Sequence, residues 1–182
     1  MTDRTDEKPR AAGKRGFDRR HYKNLIGLWK DLRIMFSNRD QIKAAMASPT
    51  VDPAFRERLM MAVTEVNHCR YCRTFHVGQA KQAGIPIEEI TEYLKGNIPE
   101  EVPEEQKLAI CYAQHWAETD AKPDPDYEEQ VRETYGEEGF LAISMVLRMI
   151  RMGNLMGNSW DYILHRISFG RWGHEIRERQ MI

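Results

Sequence analysis

The segment from Glu137 to about Asn158 sets the first limit on the fold. Phe140, Leu141, Ile143, Met145, Val146, Leu147, Met149, Ile150, Met152, Leu155 and Met156 leave almost no polar face when wound as a helix. Such a helix is stable in water only when other elements enclose it, so the segment predicts a central helix with partners on several sides. Gly153 and Gly157 have the small-xxx-small spacing of helices in close approach, which in a soluble chain points to tight packing. Arg148 and Arg151 interrupt the apolar run, and the charge-free stretches beside them, Gly139–Leu147 and Met152–Trp160, are short. No bilayer-spanning stretch is therefore expected.

The rest of the chain reads as helices around it. Tyr22, Leu25, Ile26, Leu28, Trp29, Leu32 and Met35 recur at helical spacing from Arg19 onward, and Ser37 with Asp40 resembles a capped start for a short helix ending near Ser48-Pro49. Both helices read as a packing layer without chemistry. Asp52-Pro53 opens a helix to about Asn67, with Phe55, Leu59, Ala62, Val63 and Val66 as its core stripe. The next begins near His68 or Cys69 and stops at Ala83-Gly84. A short helix follows through Ile90 and Leu94, then one from Pro103 through Trp116, then one from Asp126 to Tyr135 that Gly136 stops. Trp160 to Phe169 continue the central helix as further helix. No alternating strand pattern, hairpin signal or glycine-rich phosphate loop is present. The expectation is an all-α single domain of seven to nine helices, with residues 1–17 a disordered tail and residues 18–182 the helical domain. The last residues, with Trp172, Ile176 and Ile182, could dock on their own domain or on a neighbouring subunit.

Charge narrows the partners. The 182 residues carry a formal net charge of −1, which gives no electrostatic case for nucleic acid or an anionic membrane. The first twenty residues are polar, with no apolar signal region. Three cysteines without such a signal fit a reducing compartment, so a cytoplasmic protein is expected.

The chemistry concentrates in Glu65-Val-Asn-His-Cys-Arg-Tyr-Cys-Arg-Thr-Phe-His76. On a helix, Cys69, Cys72 and His76 fall within one narrow stripe. A thiol becomes a nucleophile by losing its proton, and helix N-termini or neighbouring bases assist that loss. The helix N-terminus favours Cys69; His76, one turn on, favours Cys72; the residues alone leave that choice open. A second thiol can resolve an oxidised first one into a disulfide. Glu57 stands among Ala54, Met60 and Met61 on a second apolar face of its helix. It is either a functional acid or a surface residue amid methionines that line a subunit contact. Zinc on Cys69, Cys72, His76 and Glu57 is a rival reading, although a contiguous helical stripe makes an awkward tetrahedron. Plain core filling is another. A c-type haem would need His directly after the second cysteine, where Arg73 stands. Cys111 and His115 read as a small buried thiol beside a core histidine rather than a metal pair.

Glu57, Cys69, Cys72 and His76 together reproduce the motif of the alkylhydroperoxidase D-like branch of the carboxymuconolactone decarboxylase superfamily, which this chain resembles. The register is a Glu, a Cys-x-x-Cys twelve residues on, and a His four further. The likeness is strong over Asp52 to Gly84 and extends in helix order over roughly Ser37 to Arg166. It implies an orthogonal helical bundle that assembles as trimers or hexamers, with no metal or organic cofactor. It implies a peroxidase or disulfide oxidoreductase in which Cys72 attacks a hydroperoxide, Cys69 resolves it, His76 and Glu57 relay protons, and an external dithiol resets the pair. The branch can carry a relay histidine where this chain has Tyr71, whose phenol donates a hydrogen bond but shuttles protons poorly near neutrality. Two other readings stay open: decarboxylation or isomerisation of a carboxymuconolactone-like acid by His76 and Glu57, and a non-catalytic redox-sensing oligomer.

Overall fold

Asp52 starts the helix on which the fold is built: its carboxylate accepts the Phe55 N–H at 2.9 Å, and Pro53 occupies the first helical position, where its missing N–H costs nothing. This helix, Pro53–Asn67, is buried nearly all round from Glu57 to Glu65. In the computed structural model, which describes residues 16–173, it is the third of seven α-helices found among those residues: α1 (Leu25–Ser37), α2 (Arg39–Met46), α3 (Pro53–Asn67), α4 (Arg70–Gln82), α5 (Ile87–Leu94), α6 (Glu104–Glu118) and α7 (Pro125–Ile167). No strand occurs among them, and the fold is all-α. The expectations for residues 1–15, Ile176 and Ile182 lie outside the described residues.

Helix α3 packs against α4, α5, α6 and α7, so the core has two central helices rather than the one expected from α7. Met60 and Met61 belong to that core, which corrects the reading of them as a subunit contact: with neighbours on every side of α3, its second apolar face is covered within the protomer. Helix α7 opens at Asp124-Pro125 and is interrupted at Gly136, where φ is 67° and ψ 172°. A side chain at that φ is strained, so glycine lets the chain break and resume in one residue. Beyond the break, Phe140, Ile143, Val146, Leu147 and Ile150 enter the core.

Helices α1 and α2 depart from expectation. Residues 19–23 are not helical, and α1 begins at Leu25 with Asn24 accepting the Gly27 N–H at 3.0 Å. Ser37 is the last residue of α1 rather than a cap, and α2 starts after Asn38 without a side-chain cap. No residue of α1 is buried, although the helix is apolar: Leu25 is 81% exposed, Trp29 70% and Phe36 75%. Periodicity reports which residues share a face; it does not report whether the face is covered within the same protomer.

By length and composition alone, α7 contains an 18-residue window apolar enough to cross a membrane, with a mean hydropathy of 1.3. This corrects the expectation that Arg148 and Arg151 rule such a stretch out. Of that window, 56% is buried inside the protein, as in the core helix of a globular fold.

A buried ion pair ties α3 to α5. Arg58 donates to both carboxylate oxygens of Glu89, at 2.6 and 3.0 Å, and to Gln106 at 3.1 Å. Arg58→Met leaves a carboxylate that is 3% exposed without its partner. Urea unfolding is expected to show a loss of about 3–5 kcal/mol relative to wild type.

Candidate active site

His68 closes α3 in the left-handed conformation, with φ 53° and ψ 41°, and turns the chain so sharply that α4 begins two residues later. Cys69 is the N-cap of α4, its sulfur accepting the Cys72 N–H at 3.4 Å. The sequence placed Cys69 on the helical stripe of Cys72 and His76; as the capping residue it instead curls back over the first turn. The two sulfurs consequently lie 2.7 Å apart, much closer than side chains three apart on a regular helix. Both cysteines are free thiols.

The two thiols of this pair differ in acidity. The Cys69 thiol is held below the ordinary thiol range, first by the hydrogen bond from the Cys72 thiol and then by the backbone N–H groups of Cys72 and Tyr71; burial and the carboxylate of Asp161 push the other way. The Cys72 thiol is pushed well up, first by its hydrogen bond to Cys69 and then by burial, with Asn154 bonding to it as a smaller, opposing influence. Cys69 is 0% exposed, whereas Cys72 is half-buried. Ionisation thus favours one sulfur and accessibility the other.

Glu57 is buried, 6% exposed, and its Oε2 lies 2.7 Å from Nδ1 of His76. The lone acid on an apolar face therefore has its partner on the next helix. A carboxylate accepting from Nδ1–H leaves Nε2 as the basic nitrogen of a neutral imidazole. His76 lies one helical turn beyond Cys72, and the exposed ring of Phe75 packs edge-on against it.

A second polar cluster, which sequence reading did not find, surrounds the Cys69 turn. Asp161 of α7 is 0% exposed and accepts from Arg70 at 2.7 Å, Tyr71 at 2.9 Å and Arg19 at 2.9 Å. Asn158 donates to the carbonyls of Asn67 and Arg20, and Asn154 joins Asn67 to Thr64. Asn154, Asn158 and Asp161 recur at helical spacing within an apolar segment, the one signal that could have exposed them; nothing local marks Arg19. Tyr71 is half-exposed, and its phenol is pushed up, by burial first and then by its bond to Asp161.

The glycines of α7 make room for the sulfurs. A Cβ at Gly157 would lie 2.8 Å from Sγ of Cys69 and 3.3 Å from the Tyr71 ring, and one at Gly153 would lie 4.0 Å from Sγ of Cys72. The chain matches the model of the carboxymuconolactone decarboxylase family over residues 37–101. Glu57, Cys69, Tyr71, Cys72 and His76 all lie within the matched segment; Arg19, Asn154, Asn158 and Asp161 lie outside it. Neither curated proteins nor solved structures returned a match.

Among the described residues no group of three or more His, Cys, Asp and Glu is arranged to hold a metal ion. His115 accepts the Asp124 N–H through Nε2 at 3.1 Å, beside the start of α7, and so is engaged with the backbone.

Two measurements test this geometry. In a Cys111→Ser background, absorbance of the thiolate against pH should show one thiol ionising below the ordinary value of about 8.5 and the second well above it. Cys69→Ser should remove the lower step, and an unchanged lower step would reassign it. A thiol whose folded pKa is depressed stabilises the fold above its unfolded pKa, and that contribution disappears as pH falls through the folded value. Gly157→Ala should cost about 1–3 kcal/mol in thermal or urea unfolding, because the added methyl group meets the fully buried Cys69 sulfur at 2.8 Å.

Proposed function

We propose that this protein is a thiol-dependent peroxidase or disulfide oxidoreductase that reduces hydroperoxides by cycling Cys69 and Cys72 between dithiol and disulfide. The observation that carries the reading is the pair of free thiols 2.7 Å apart, one buried and capping a helix, the other accessible, beside a buried Glu57–His76 pair.

Chemistry at the Cys72 sulfur begins with the proton that the two thiols share. Its transfer from Cys72 to Cys69 moves the negative charge onto Cys72, the thiol a substrate can reach. The Cys72 thiolate attacks the terminal peroxide oxygen; the O–O bond breaks, the leaving alkoxide takes a proton to become an alcohol, and Cys72 becomes a sulfenic acid. His76, oriented by Glu57, is placed to give and take protons at this step. The Cys69 sulfur then attacks the sulfenic sulfur, forming the disulfide and releasing water. An external dithiol reductant restores the pair by exchange, itself becoming a disulfide. The likeness to the alkylhydroperoxidase D-like branch supports these roles for the two cysteines, and the difference in their exposure agrees with it. Such a cycle needs no metal or organic cofactor and belongs in a reducing compartment, the cytoplasm.

The same reading makes the protein a homo-oligomer, a trimer or hexamer by that likeness. Helix α1 is apolar with no buried residue, and Trp160, Ile163 and Ile167 at the end of α7 are also exposed. Exposed apolar side chains in this number fit contact between subunits.

Hydroperoxide consumption with dithiothreitol as reductant is the test. Cys72→Ser should abolish it, while Glu57→Gln and His76→Ala should each lower the rate by about 10²–10⁴-fold with the thiols intact. Full activity in Cys72→Ser would overturn the proposal.

A further inference from the structure

The Cys69 turn sits in an unusual charge arrangement. Arg70, between the two cysteines in sequence, lays its guanidinium over the Tyr71 ring, 4.7 Å from the centroid, and donates to both the Tyr71 hydroxyl and Oδ1 of Asp161 at 2.7 Å. Tyr71, the second residue between the cysteines, donates to the same Oδ1 at 2.9 Å. Both residues between the thiols thus end on one oxygen of one carboxylate. Arg19 approaches from the chain before α1. It donates to Oδ2 of Asp161 at 2.9 Å, to the carbonyl of His68 at 3.2 Å, and to the carbonyl of Gly173. His68 immediately precedes Cys69, so Arg19 bridges the turn that carries the thiol to α7. Arg19 and Arg70 thus place two guanidiniums on the turn that carries Cys69, and positive charge brought near a thiol favours its thiolate. Asp161 supplies the opposing charge, and it lies one turn beyond Gly157, the residue against which the Cys69 sulfur packs.

We propose that Asp161 is a positioning residue that sets how much positive charge the dithiol experiences: it holds Arg19 and Arg70 against the Cys69 turn and offsets one of their two charges. The direct effect of its carboxylate on Cys69 has the same sign, since it disfavours the thiolate. The other titratable and charged groups beside the pair include His68 before Cys69, Tyr71 on α4, the Arg73–Glu65 ion pair after Cys72 and the Glu57–His76 pair joining α3 to α4. This inference rests on the dithiol reading above and deepens it, because thiol ionisation governs the redox poise of the pair. A dithiol whose thiolate is stabilised is a stronger oxidant, since its reduced form is the one favoured.

The test uses the full-length chain in a Cys111→Ser background, with Asp161→Asn and Arg70→Gln. Asp161→Asn keeps the shape and removes the negative charge, so the lower thiol pKa should fall by about one unit. Arg70→Gln removes a positive charge and should move it up. In equilibrium with glutathione, at a pH above the wild-type thiol pKa, each unit of decrease shifts the pair about tenfold toward the dithiol. A merely structural role would alter melting temperature without shifts of opposite sign. Circular dichroism establishes that each variant is folded; Arg70 is partly exposed, so its variant decides the matter if Asp161→Asn fails to fold. Thiol pKa values that stay at wild type in the folded variants overturn the proposal. If wild type forms no disulfide, the peroxidase reading falls, while the thiol titration still decides the role of Asp161.

Discussion

Two sulfur atoms 2.7 Å apart must fit between a helix start and the flank of α7, and the missing side chain at Gly157 is what admits them. Protein interiors are packed densely enough that a single methyl group in that position would displace either a sulfur or the neighbouring aromatic ring. The turn at His68 supplies the other half of the constraint. Because α3 ends in a left-handed residue and α4 begins almost at once, Cys69 is drawn back over the first turn rather than projecting along it. Helix packing and thiol geometry are therefore one problem, solved jointly by α3, α4 and α7.

Burial of charge is the second theme. Glu57, Glu65, Glu89 and Asp161 are all buried, and each has a cationic or imidazole partner: His76, Arg73, Arg58, and Arg19 with Arg70. A buried carboxylate without such a partner would be costly, so these pairs fix how the helices are set against each other. Helix α3 carries three of the buried charged residues, Glu57, Arg58 and Glu65, while also contributing Leu59, Ala62 and Val63 to the core. It is at once the centre of the hydrophobic cluster and a wall of the site. That double duty explains why a carboxylate, Glu57, stands on its second apolar face.

The all-α fold, the start of α3 at Asp52-Pro53, the break at Gly136 and the residues of the thiol motif were legible because each depends on local chemistry: a cap, a backbone conformation, a spacing. Glu57 was noticeable as a carboxylate among methionines, but its partner lay nineteen residues away and only the packing of α4 on α3 revealed it. The exposure of α1 was not legible, since an apolar stripe looks the same whether its cover comes from the same protomer or from another. Nor was Arg19, one of two adjacent arginines in a charged stretch, whose contacts span more than a hundred residues of sequence. The spacing of Gly153 and Gly157 correctly signalled close approach, yet what approaches is a pair of sulfurs.

The boundary of the matched segment at residues 37–101 runs between the thiol motif and much of the polar frame around it. The thiols, the histidine and its glutamate lie inside; Asp161, Asn154, Asn158 and Arg19 lie outside, on α7 and on the chain before α1. A lineage can therefore retain the motif unchanged and still drift in thiol acidity by substitution in segments that no motif describes. Two chains identical through Glu57 to His76 need not share a working potential, and the flanking sequence is where their difference would be written.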